Sequence, residues 1–267
     1  EYVVQESNKK DRTLLVAFGL TDDYPEANLR HYTFMLEGLK ETQEALASRG
    51  IKLVVRRGQP PEVALSLGRR ASMIVCDRGY LRHQNAWREK VAQEANCRVV
   101  QVESDVIVPL EVVSDKAEYA ARTIRPKIHR HLNAYLVGIK SIAVKHPSLA
   151  MRIQGIDLDN TSDLLQKLNL DRRVRPVSGL FKGGTTQAAK RFGAFIRHRL
   201  KHYDQHSNQP QTDDISHMSP YLHFGQISPL YLAQQISRAP NTLKAAKDSY
   251  LEELVVRREL AINFAFY

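Results

Sequence analysis

The chain has 267 residues, 43% of them hydrophobic, with two cysteines and a formal charge of +10. That apolar content supports the core of one large domain or two smaller ones and excludes a disordered chain. No apolar run approaches the roughly 20 residues of a membrane-spanning helix, and EYVVQESNKK at the start lacks a basic stretch followed by an apolar signal core, so a cytoplasmic protein is expected.

EYVVQESN reads as the interior of an amphipathic helix with no strand before it. Between Thr13 and Pro109, short apolar runs then alternate with longer segments of helical period. The runs are TLLVAFGL, IKLVVRRG, ASMIVCD and CRVVQVESDVIV; the helical segments are Asn28 to Arg49, Pro61 to Arg69 and Gln84 to Asn96. This alternation predicts an α/β domain, a parallel sheet with crossover helices. Leu29, Tyr32, Met35, Leu36, Leu39 and Leu46 recur at helical spacing as a core stripe, and Gly50 closes that helix. After Pro109 the pattern is helical segments and polar loops with no further convincing strand. The division expected is an α/β domain at 1–110, a linker at 111–178 and a mainly helical region at 179–267. The chain ends at NFAFY without a helix stop signal, which, with the missing first strand, predicts a fragment.

Cys76 and Cys97 have neither CxxC nor CxxH spacing, so no disulfide framework or zinc site is indicated. The positive excess gathers in Arg56-Arg57, Arg69-Arg70, Arg122 to Arg130, Arg172 to Arg175 and Arg197 to His202, a field suited to a polyanion. Isolated arginine pairs are equally ordinary as solvated surface.

The most informative stretch is SHMSPYLHFGQISP, Ser216 to Pro229, which contains Ser-Pro twice. Serine caps a helix N-terminus and proline fits its first turn, so two helix starts lie close together. Such ends favour anions, and the hydroxyls and amides around Ser216 and Ser219 suit a diphosphate; simple capping is the plainer alternative. In the last segment, Leu251, Leu254, Val255, Ala261, Phe264 and Ala265 form an apolar side, with Glu252, Glu253, Arg257, Arg258 and Glu259 on the rest. Glu253 and Arg257, four apart, have the spacing of a helical ion pair.

SHMSPYLHFGQIS resembles the motif of class II cyclobutane pyrimidine dimer photolyases in which a serine-containing turn wraps a flavin diphosphate. LTDDYPEANLRHYTFMLEGL, CDRGYLRHQNAWREKVA, VPLEVVSDKAEYAARTIRPKI and LEELVVRRELAINF are similar to the same family, so the likeness spans nearly the whole chain. It implies a Rossmann-like N-terminal domain, a linker, and the first part of an all-α FAD-binding domain. Ser216, His217, Met218 and Ser219 would contact the flavin diphosphate, and Tyr203 would place its hydroxyl on a phosphate. Glu253 would approach the flipped dimer as the catalytic acid. Arg257 and Arg258 would face DNA; some relatives carry tryptophan at the position of Arg257.

The resemblance further implies FAD as cofactor and DNA containing pyrimidine dimers as partner, with no membrane and a monomeric protein. Base flipping by photolyases is general knowledge of the class. A second, antenna chromophore is an option in the first domain, where Tyr80 and Trp87 are tempting contacts, although core packing is the simpler role for both. In the family, helices enclosing the isoalloxazine ring follow the point where this chain stops, so the chain alone is expected to bind FAD poorly. Two rivals stand beside this reading. One is a cryptochrome-like photoreceptor without repair. The other is a nucleotide-binding α/β domain, against which residues 13–109 carry no glycine-rich phosphate loop.

Overall fold

The computed structural model describes residues 1–267. In chain order it contains α1 (Tyr2–Lys9), β1 (Leu15–Leu20), α2 (Leu29–Ser48), β2 (Lys52–Arg57), α3 (Pro60–Gly68), β3 (Met73–Asp77), α4 (Arg82–Glu94) and β4 (Arg98–Val102). There follow α5 (Leu110–Val113), α6 (Ala121–Tyr135), α7 (Thr161–Lys167), α8 (Thr185–His198), α9 (Tyr203–His206), α10 (Ser219–His223), α11 (Pro229–Arg238), α12 (Lys244–Leu251) and α13 (Arg258–Phe266). A π-helical stretch, Glu252–Arg257, joins α12 to α13. The fold is α/β in its first part and helical after it, and no helix is long and apolar enough to cross a membrane.

The chain divides into two compact units, each built from three segments. The first comprises Glu1–Cys76, His83–Gln101 and Ile139–Thr185; the second comprises Asp77–Arg82, Val102–Gly138 and Thr186–Tyr267.

In the first unit, β1 and β2 are parallel, with Leu15 opposite Lys52 and Leu20 opposite Arg57. The crossover is α2, whose N-terminus is closed by Asn28: its side chain accepts from Arg30 N at 3.1 Å, and His31 Nδ1 accepts from Asn28 N at 3.2 Å. Histidine here takes the part glutamate usually plays in a capping box. Gly50 ends the helix at φ +78°, a conformation costly for any residue with a Cβ. Tyr32 and Leu36 from the expected stripe are buried against Leu20, Leu53 and Leu158, with Met35, Leu39 and Leu46 partly buried around them.

The sequence suggests one parallel sheet; the strands instead pair two by two, β1 with β2 and β3 with β4. The stretch 148–156 helps explain how β2 is finished. Ser148 Oγ accepts from Lys52 N at 2.7 Å, and Ile156 N donates to Val55 O at 2.7 Å. Main-chain groups of β2 are thus satisfied by an irregular segment rather than by a further strand.

Gly183 and Gly184 press on α2. A Cβ at Gly183 would stand 2.1 Å from the Phe34 carbonyl oxygen, and Gly183 N donates to Glu37 Oε2 at 2.6 Å.

The second unit depends on α13. Glu259 and Asn263 are 1% and 0% exposed. Glu259 Oε1 accepts from the main-chain N–H groups of Ile107 and Val108 at 2.8 and 3.2 Å. Asn263 Oδ1 accepts from Glu118 N at 2.7 Å, and its amide donates to Lys116 O at 3.2 Å. Tyr80, Val106 and Leu110 form the adjoining apolar cluster, with Ile262 and Phe266 packed on it.

This arrangement corrects the apolar side read from the last segment. Leu254 and Val255 are buried as expected, but Phe264 is 80% exposed and Glu259 and Asn263 lie inside. A π turn holds more than four residues, so it rotates every later side chain relative to an unbroken α-helical period. The polar pair then faces inward, where main-chain donors of 107, 108 and 118 bond to Glu259 Oε1 and Asn263 Oδ1, while Glu259 Oε2 is buried without a partner.

Two expectations follow from this packing. Gly183→Ala forces its methyl into main chain and lowers stability by about 1–3 kcal/mol, read as a fall in the urea midpoint; an unchanged midpoint contradicts the close packing. Burial, outweighing two N–H donors, pushes the Glu259 carboxyl from 4.5 up to about 7. Its folded form therefore holds a proton longer than its unfolded form. The associated stability is fully present below pH 4.5 and lost as pH rises through about 7, a difference on the order of 3 kcal/mol. Glu259→Gln keeps an oxygen acceptor without the charge, so the stability lost by the native chain between pH 5 and 8 is expected to be largely absent in the variant. Identical pH profiles for the two proteins contradict this.

Candidate functional site

Tyr203 enters the site from α9, directly after a 3₁₀ turn at Leu200–His202. It lies edge-on to Phe195 and Tyr250, with ring centroids 5.7 and 5.2 Å away. Burial, with the Glu253 carboxylate as a second cause, pushes its phenol up to about 12. From the same aromatic block the Tyr250 hydroxyl donates to Ser216 Oγ at 3.2 Å. Ser216, Tyr250, Tyr203 and Glu253 thus form one neighbourhood, although they are spread over 50 residues of sequence.

The turn containing Ser216 is held by its flanks. His217 has φ +56°, a left-handed conformation uncommon outside glycine, and its Nε2 lies 2.5 Å from Asp213 Oδ1. Arg199 pairs with the same aspartate at 3.2 Å, and His206 Nδ1 lies 2.5 Å from Asp214 Oδ2. The His217 contact, aided by Arg199, holds the Asp213 carboxyl below its usual range.

The two Ser-Pro starts differ. Ser228 is the residue before the first turn of α11, with Pro229 at the first helical position, as the sequence suggests, though its side chain makes no capping bond. At α10 the cap position falls on Met218, and Ser219 is already helical. The left-handed turn at His217 shifts the start by one residue. The Met218 side chain is consequently 1% exposed and serves as an anchor, while Ser216 Oγ accepts from Met218 N at 3.4 Å and Ser219 stays exposed.

Glu253 sits on the π stretch with its side chain 57% exposed. The i→i+5 register of that stretch places Arg257 Nε 3.7 Å from Glu252 and 4.0 Å from Glu253, so the pair expected from i, i+4 spacing is shared. Arg125 grips Glu252 with two nitrogens, at 2.9 and 2.6 Å. Arg257 is 55% exposed. Arg258 is turned inward, its side chain 19% exposed and its guanidinium 2.5 Å from Asp105 Oδ1. Tyr80 is 4% exposed and packs edge-on against Phe266 in the second unit, whereas Trp87 belongs to a trio with Tyr24 and His83 in the first.

Sequence reasoning missed Tyr250, Asp213, Glu252 and Arg125. Only Arg125 carried a signal, its place in the basic run 122–130. For binding a diphosphate the donor chemistry fits: Ser216 and Ser219 offer hydroxyls, and both neighbouring aspartates are engaged by side chains, Asp213 by His217 and Arg199 and Asp214 by His206, so neither carboxylate is left without a partner at the turn.

Known proteins share this architecture. A cryptochrome from Synechocystis sp. PCC6803 aligns over 98% of this chain and 58% of its own at 16% identity, with a TM-score of 0.75. An archaeal photolyase from Sulfolobus tokodaii, described with two FAD molecules, aligns over 95% of this chain and 53% of its own at 17% identity, with a TM-score of 0.70. These likenesses establish the fold as the one common to photolyases and cryptochromes. The DNA photolyase profile matches residues 3–148, more than half of the sequence, and the chain belongs to that family. The deoxyribodipyrimidine photo-lyase of Methanothermobacter thermautotrophicus is 43% identical over 100% of this chain and 58% of its own length. The chain spans about half the length of the curated relatives it matches.

Tyr250→Phe removes the donor to Ser216 while keeping the ring stack. A loss of about 1 kcal/mol is expected in thermal unfolding, with tyrosine near-ultraviolet dichroism retained; full stability in the variant contradicts the hydrogen bond.

Proposed function

We propose that the protein of which this chain forms part repairs cyclobutane pyrimidine dimers in DNA, as a class II photolyase using light and FAD. The observation that carries this reading is the convergence of the serine turn, Tyr203 and Glu253 in one unit. Its domain division is 1–110, 111–178 and 179–267.

In this reading, Ser216 and Ser219 hold the flavin diphosphate through their hydroxyls. His217 and Met218 contribute main chain, since the Met218 side chain is buried. The Tyr203 hydroxyl reaches a phosphate. When bound and reduced, FAD would supply a photoexcited electron to the dimer and take it back once both ring bonds have broken, with no net redox change. Glu253 hydrogen-bonds the flipped pyrimidine and stabilises the negative charge that develops on it. Arg257 meets DNA phosphate, and Arg258, fixed to Asp105, braces the helix beneath it. For an antenna pigment, the half-buried trio Tyr24, His83 and Trp87 offers aromatic contact.

The shared fold makes a photoreceptor without repair the rival, and retention of Glu253 favours repair. The deciding assay is light-dependent loss of dimers from ultraviolet-irradiated oligothymidylate by the full-length protein supplied with reduced FAD. Glu253→Ala is expected to slow repair roughly 10-fold or more, the equivalent of one hydrogen bond to a charged group. Dimers that persist under illumination with the native protein overturn the proposal.

A further inference from the structure

Helix α6 has the sequence ARTIRPKIHRHLNAY, with four Lys or Arg, two His and no acidic residue. Its buried face is apolar: Ala121, Ile124 and Ile128 are 6%, 0% and 0% exposed. At 100° per residue, Arg122, Arg125, Pro126, His129, Arg130 and Asn133 share an outward arc of about 140°. Arg122, Pro126, His129, Arg130 and Asn133 are all exposed.

The cations of α6 fall into two groups. Lys127 is committed to the buried Glu118, with Ser114 Oγ completing the contact at 3.1 Å. Arg125 is braced by Glu252 yet keeps a 39% exposed side chain. Arg257 approaches the same glutamate from the π stretch. The Arg125 guanidinium first, with Arg257 and His129 adding, keeps Glu252 below the usual carboxylate range. Arg122 lies over the ring of Tyr119, 5.8 Å from its centroid, and Tyr119 is 76% exposed. A cationic strip therefore begins at an exposed aromatic ring and ends beside Glu253, with one acid serving as a brace for two arginines.

We propose that the outer face of α6, formed by Arg122, Arg125, His129 and Arg130 and continued by Arg257, binds the phosphodiester backbone of DNA alongside the repair site. Guanidinium groups match phosphate oxygens in geometry and stay charged at any relevant pH. Contacts of this kind position the duplex without reading its sequence, so the strip fixes how DNA is presented to Glu253 rather than which bases are chosen. Glu252 acts as a positioning residue by limiting the rotamers of Arg125 and Arg257. The inference rests on the DNA-repair reading and adds to it a surface on the helix most distant in sequence from Glu253 within that cluster.

The test uses fluorescence anisotropy of the full-length protein with an undamaged 20-base-pair duplex, titrated at several salt concentrations. The double variant Arg122→Ser/Arg130→Ser removes two exposed cations that make no ion pair. Arg69→Ser/Arg70→Ser removes two exposed arginines from the first unit and controls for net charge. The α6 variant is expected to lower the slope of log affinity against log salt by about 2, with an equal loss of affinity on unrelated sequences. The control is expected to leave the slope close to native. Equal slopes for the two variants, with native binding intact, overturn the role of α6 and leave the repair reading standing. Absence of binding by the native full-length protein even at low salt removes the DNA partner and both readings with it.

Discussion

Glu259 and Asn263 put two polar side chains where a helix normally carries apolar ones, and the second unit is arranged around that choice. Neither is exposed, and between them they take up main-chain donors at Ile107, Val108 and Glu118. A buried main-chain N–H without an acceptor is costly, so the segment 103–118 and α13 are each incomplete alone. Because α13 continues the π stretch without a break, the same bonds fix the height and rotation of Glu252, Glu253 and Arg257. The candidate site is thereby supported by a polar seam, whose hydrogen bonds depend on direction more strictly than apolar packing does.

The π stretch converts that support into geometry. Three successive residues, Leu254, Val255 and Val256, are buried, which a regular α-helix of narrow apolar stripe does not require. The wider turn brings Glu252 and Glu253 together to one arginine and leaves Glu253 accessible. Single π turns inside helices are commonly found at functional sites, and here the widened turn occurs beside the acid on which the proposed chemistry depends.

Period and punctuation made much of the first unit legible. The β1, α2 and β2 regions follow from apolar runs, helical period and Gly50, and the structure keeps them within a few residues. The pairing of strands was not legible, because hydrogen bonds from an irregular segment such as 148–156 leave no periodic trace. In the site, the serine turn was marked by its two Ser-Pro helix starts, whereas its role and that of Glu253 came from resemblance of motif. The left-handed backbone of His217 was hidden because histidine gives no hint of it, unlike glycine. The inward turn of Glu259 was hidden for a related reason: charged residues in a helix are ordinarily read as surface, and only the location of partner N–H groups reverses that reading. Arg258 shows the same effect, since its neighbour Arg257 has equal charge and opposite orientation.

The segment 148–156 has one more consequence. A strand edge with open N–H and C=O groups is a template for any extended chain, including another copy of the same protein. By bonding to Gly50, Lys52 and Val55 of the β2 region, this loop occupies positions that a foreign strand would otherwise use. In the folded chain it therefore denies that edge to another copy. Loosening it would be felt first as aggregation on refolding rather than as any defect in the finished site.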